Sequence, residues 1–171
     1  MNITRTRRMI ALTLTAMLAL PAMAACGNPA DDVAQGIAEQ AAENAMGGGD
    51  VNITDDSLTM TDAEGNQMAI GADVSVPENW PDSVPLYDGG TLTMASVQAD
   101  GTVYAVWSTD ASPTAAVDAY AAMLPSGFIL EQDANLAGTV MREYQDATLT
   151  VSVVAAEVEG VTNLTVTGLV N

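Results

Sequence analysis

The sequence predicts an α+β fold: an antiparallel β-sheet of about six strands with one helix packed on a face, preceded by a short helix and a β-hairpin. Three observations carry this expectation. From Trp80 onward, strand-like segments follow one another through links of a few residues. A single helical pattern interrupts them after Ser112-Pro113. The links are too short for parallel crossovers, which need a dozen or more residues.

Each element has a local reason. After a Gly27-Asn28-Pro29 tether, Asp31-Asp32-Val33 to Met46 reads as a helix. Its acids suit the positive N-terminal end, and Val33, Ile37, Ala41 and Ala45 recur at helical spacing. Gly36 weakens it by about 1 kcal/mol relative to Ala, and Gly47-Gly48-Gly49 ends it. So thin and Ala-rich a stripe suggests a stalk, or a face that docks on the domain or a partner. Ser57–Thr61 and Gln67–Ile70 alternate around the turn residues Asp62–Asn66, with Leu58, Met60, Met68 and Ile70 on one face. Val74 to Leu86 contains Pro77, Pro81 and Pro85, so it forms neither regular helix nor central strand. Thr91–Ala99 and Thr102–Ser108 are strands joined by Asp100-Gly101, a strong hairpin signal.

Ser112 caps the next helix and Pro113 fits its first position. Val117, Tyr120, Ala121 and Leu124 form its apolar stripe. Segments 128–132, 139–145, 148–156 and 161–170 complete the strands, with Leu149, Val151, Val153 and Ala155 alternating against Thr148, Thr150 and Ser152.

Organisation follows from the N-terminus. Arg5, Arg7 and Arg8 precede an apolar run from Met9 to Leu20 and then small residues, the pattern of an export signal. The run falls short of the roughly 20 residues that span a bilayer. Residues 1–25 are read as signal peptide, 26–50 as Cys26, tether and short helix, 51–76 as hairpin, and 77–171 as the α+β domain. A cut after Ala24 also satisfies the small-x-small rule and would leave a free thiol at Cys26, an oddity in a secreted protein.

Composition excludes several chemistries. The chain carries 22 acidic and 4 basic residues, no His, and a formal net charge of −18. Arg142 is the only cation beyond residue 25, and Lys is absent. Such a surface repels phosphate backbones, so no nucleic acid is expected as partner. It repels anionic lipid headgroups equally, so any membrane attachment would have to come through acyl chains, each buried methylene contributing about 0.8 kcal/mol. Imidazole nucleophile systems, thiolate zinc sites and Schiff bases are not available.

Met23-Ala24-Ala25-Cys26 resembles the lipobox of bacterial lipoproteins, in which the Cys sulfur receives a diacylglyceryl group. Trp80-Pro81-Asp82-Ser83-Val84-Pro85-Leu86-Tyr87-Asp88-Gly89, a helix carrying Val117-Asp118-Ala119-Tyr120, and Gly127-Phe128 at a strand entry extend the likeness. Over residues 51 to 171 the chain is similar to small lipoproteins of high-GC Gram-positive bacteria. The resemblance implies a lipidated Cys26, a fold and an address at the extracytoplasmic face of the cell membrane. It brings no catalytic residues.

Candidate sites are few. Trp80, Tyr87, Tyr104 and Trp107 are the candidates for a groove taking an apolar or peptide ligand, set against Trp107 as core and Trp80 as a cap on the sheet edge. Asp62, Glu64, Asn66 and Asp73 have calcium-loop spacing, but Gly65 is misplaced for that motif and a hairpin turn accounts for them. Met46, Met60, Met68, Met94, Met123 and Met141 carry thioethers suited to Cu(I), yet stand apart at positions that read as core. Arg142 reads as one half of an ion pair, with Glu143 or an acid across the sheet. No metal and no cofactor is expected. The resulting expectation is a lipid-anchored, non-catalytic binding or interaction module of unknown protein or small-molecule ligand. A structural or accessory subunit docking a basic partner comes second, and a carboxylate-based hydrolase third.

Overall fold

The computed structural model describes residues 29–45, 48–72 and 74–171. These form one nine-stranded antiparallel sheet and two helices. In chain order they are α1 (Pro29–Ala45), β1 (Gly49–Ile53), β2 (Ser57–Asp62), β3 (Gln67–Gly71), β4 (Thr91–Val97), β5 (Val103–Thr109), α2 (Pro113–Met123), β6 (Ile129–Leu136), β7 (Thr139–Gln145), β8 (Leu149–Val158) and β9 (Val161–Val170). The spatial order is β1-β2-β3-β4-β5-β9-β8-β7-β6.

This corrects the expectation of about six strands behind a separate hairpin: the protein is largely β, and all nine strands share one sheet. Two features of the chain explain the difference. β1, of sequence GDVNI, is short and follows glycines that also read as a helix stop. The Pro-punctuated segment loops out and returns the chain beside β3, so Gln67–Ile70 pair with Val97–Met94 and the hairpin continues the sheet.

The core lies on one face of the sheet, here the inner face. Val103, Ala105 and Trp107 of β5, Leu164 and Val166 of β9, and Val151, Val153 and Ala155 of β8 are all buried there. Two covers exclude water from it. α2 packs against β7, β8 and β9, with the Ser112 hydroxyl accepting from Ala115 N at its start. It buries Ala116, Val117 and Tyr120, while Ala121 and Leu124 of the expected stripe are only half-buried. The second cover is the Pro-rich segment, which inserts Val84 and Tyr87. Tyr120 ties the two together, its hydroxyl donating to Pro85 O at 3.0 Å. Burial pushes that hydroxyl's pKa well above its ordinary value.

α1 departs from the stalk expectation. Its helical positions Gln35, Glu39, Ala42 and Glu43 are half-buried, whereas Ile37 is 64 % exposed and Ala41 is exposed. The helix lies along β1. The Glu39 carboxylate accepts from Ile53 N at 2.8 Å and Glu43 from Val51 N at 3.5 Å. Four residues of helix rise about 6 Å and two residues of strand advance about 6.8 Å, so the two periods match. α1 therefore satisfies the outward N–H groups of an edge strand, a task its apolar stripe could not perform. No described helix is long and apolar enough to cross a membrane.

Candidate functional site

Cys26 lies outside the described residues. The four aromatic candidates lie within them, and the structure does not bring them together around a groove. Trp107 is 2 % and Tyr87 5 % exposed, packed edge to face with centroids 6.2 Å apart. Tyr120, 6.4 Å from Trp107, completes this core cluster. Trp80 is half-buried and donates its indole N–H to Val84 O at 2.8 Å, which fixes the Pro-rich cover. Tyr104 is on the other side of the sheet: it pairs with Ser96 and Thr167, whereas Trp107 pairs with Leu92 and Leu164. An odd separation along one strand sends the two rings to opposite faces.

The calcium-type spacing is a turn. Asp62 Oδ1 accepts from the backbone N of Glu64 and of Asn66, and Oδ2 from Asn66 Nδ2 at 2.6 Å. Asp73 lies outside the described residues. Among the described residues no group of three or more His, Cys, Asp or Glu is placed to hold a metal ion. Asp100 and Asp146 organise the β4–β5 and β7–β8 turns in the same way, accepting from Thr102 N and from Thr148 N and Leu149 N. The antiparallel order puts all three turns at one end of the sheet.

These hydrogen bonds hold each carboxyl below its usual pKa: chiefly the Asn66 amide at Asp62, the Thr102 N–H at Asp100 and the Thr148 N–H at Asp146. The folded state thus binds fewer protons than the unfolded chain near their ordinary pKa of 3.8. The stability they give is present above that value and is lost as pH falls through the folded pKa values. A triple Asp62→Asn, Asp100→Asn, Asp146→Asn variant is expected to lose stability less steeply than wild type between about pH 4 and pH 2, read from urea midpoints.

Arg142 is an internal clamp. It is on the inner face, opposite Val153, with its side chain 18 % exposed. Nη1 meets Asp118 Oδ1 of α2 at 2.6 Å. Nε is buried without a hydrogen bond, its nearest acid being Asp133 Oδ2 of β6 at 3.4 Å. Glu143, the alternative partner, belongs to the opposite face because neighbours along a strand alternate. Arg142→Met is expected to cost about 1–2 kcal/mol in urea unfolding: the stem stays packed, and both carboxylates, being more than half exposed, rehydrate.

What the sequence did not disclose is the outer face. Strand pairings align Ile53, Leu58, Ile70, Met94 and Val106 across β1 to β5 and continue through Thr165, Val154, Met141 and Ala134 to β6. Eight of these nine residues are apolar and all are half-buried. At about 4.8 Å per strand the row is about 40 Å long. The adjacent row runs from Val51, Met60 and Met68 through Ser96 and Tyr104 to Thr167, Ser152, Glu143 and Gln132, and Glu143 is the one charged residue in the two rows. α2 packs on the inner face and α1 at β1, leaving this face open over the intervening strands. A cavity of about 340 Å³ opens beside it, lined by Met60, Met68, Asn66, Ser96 and Gln98 among others.

The methionine expectation changes accordingly. Met60, Met68, Met94 and Met141 are on the outer face rather than in the core, Met123 packs against the core, and Met46 lies outside the described residues. No family model, curated protein or solved structure matches this chain.

Proposed function

We propose that the protein is a non-catalytic interaction module, anchored through diacylglyceryl-Cys26 at the extracytoplasmic face of the cell membrane, that docks a protein partner on its open outer face. The single observation behind the docking role is the apolar row across nine strands in a chain otherwise crowded with carboxylates. Charge depletion at the centre of a patch is the compositional mark of an interface. The acidic turns at one end of the sheet favour a partner with basic residues around an apolar centre, which is the accessory-subunit form of the same reading.

Two measurements test it separately. Intact mass of the chain expressed with residues 1–25 in a bacterial host is expected to show diacylglycerol on Cys26, lost in Cys26→Ala; a product beginning at Ala25 with a free thiol overturns the anchor. Carbene footprinting compares intact cells with purified protein. Labelling of Val106, Val154 and Met141 is expected to fall on cells, with high salt restoring it if the carboxylates contribute. Equal labelling in both settings overturns the docking face.

A further inference from the structure

We propose that Met60, Met68 and Met94, brought together on the outer face of β2, β3 and β4, form a binding site for a soft monovalent cation, Cu(I). This goes beyond the partner-docking reading and stands without it.

The register supplies the geometry. Met60 and Met68 are directly opposed across β2 and β3. Direct cross-strand partners have Cβ atoms about 4.5–5.5 Å apart. Met94 is opposite Ile70 on β4, two residues along from Ser96, the partner of Met68. It is therefore the diagonal neighbour of Met68, at a separation long side chains bridge. Three flexible thioether side chains thus stand on three consecutive strands, Met60 and Met68 side by side and Met94 on the diagonal from Met68, and none of the three residues is buried. The cavity that Met60 and Met68 line gives an ion a way in from solvent.

The chemistry selects the ion. Thioether sulfur is an uncharged, polarizable donor that favours Cu(I), whereas Ca²⁺ and Mg²⁺ require oxygen ligands. The nearest carboxylate lining the cavity, Asp62, is committed to its own turn through Asn66 and Glu64, so no free hard ligand competes there. The net negative charge of the chain raises the local concentration of any cation. The chain also lacks His, and its only Cys is Cys26, so no imidazole or second thiol offers a better soft site elsewhere. Packing alone accounts less well for the choice of residue. Branched residues also occupy this face, at Leu58 and Ile70, so the face itself does not require an unbranched thioether.

The test uses the chain from residue 26 with Cys26→Ala, so that the thiol does not compete. Ag(I), a redox-inert stand-in for Cu(I), is titrated while the methionine methyl resonances are followed by NMR. Met60, Met68 and Met94 are expected to shift together and saturate at a single equivalent, with Met141, on the same face but distant strands, unmoved. Anaerobic competition against a Cu(I) chelator is then expected to show affinity falling about tenfold or more in Met60→Leu and in Met68→Leu. Met141→Leu, with an unchanged circular dichroism spectrum, is expected to bind as the parent does. Leu conserves apolar volume, so folding is retained. The absence of any shift, shifts shared equally by Met141, or full Cu(I) affinity in the triple Leu variant each overturns the site.

Discussion

Replacing Trp107 with Ala is expected to lower unfolding free energy by about 3–5 kcal/mol, read as a reduced urea midpoint with an unchanged slope. The ring is 2 % exposed and packs against both covers of the inner face. Tyr87 of the Pro-rich segment packs on it edge to face, and Tyr120 of α2 packs on it at 6.4 Å. Its loss leaves a cavity where strand, helix and segment meet, and three rigid elements collapse poorly into such a space. A loss well under 2 kcal/mol would mean that the Pro-rich segment closes over the gap and is not held in place by Trp80 and Val84.

Gly168→Val is the second large effect, expected at about 1–3 kcal/mol or more. Gly168 is on the inner face of β9, between Val103 and Val151 of the flanking strands. A Cβ there would lie 2.7 Å from a Val103 methyl and 3.1 Å from a Val84 methyl. Glycine in a strand interior here marks close approach by another segment, since Val84 sits where a side chain would otherwise stand. Gly160→Ala separates space from backbone conformation. Its Cβ meets nothing within 4 Å, and its φ of +85° makes a cost of about 1 kcal/mol purely conformational. The two variants compared by chemical denaturation should rank with Gly168→Val the more damaging; the reverse order would remove the close-approach argument.

Alternation disclosed the inner face well. Leu149, Val151, Val153 and Ala155, and likewise Leu164 and Val166, are buried where a period of two places them. Ser112-Pro113 marked the start of α2, and Asp100-Gly101 the turn before β5. What failed has identifiable causes. Leu92 and Met94 look like one face of a regular strand, but a bulge between them turns Leu92 toward Trp107 and leaves Met94 outside. No local signal says that Gln67–Ile70 pairs across a Pro-rich excursion with residues near Val97. The apolar row is invisible in one dimension for the same reason: each strand contributes a single residue, and only the register aligns them. In α1 the apolar stripe drew attention, while the contacts to β1 belong to carboxylates.

The place of β9 bears on when the fold can close. β9 separates β5 from β8, so the leading five strands and the three that follow α2 are held in one sheet through it alone. Synthesis reaches β9 after every other described strand. Without β9, β5 and β8 each lack a pairing partner on one side, and the core lacks Leu164 and Val166. Final closure must wait for pairing over large sequence separation, the slow kind of folding step. The topology thus leaves completion of the core to the strand that is made after all the others described.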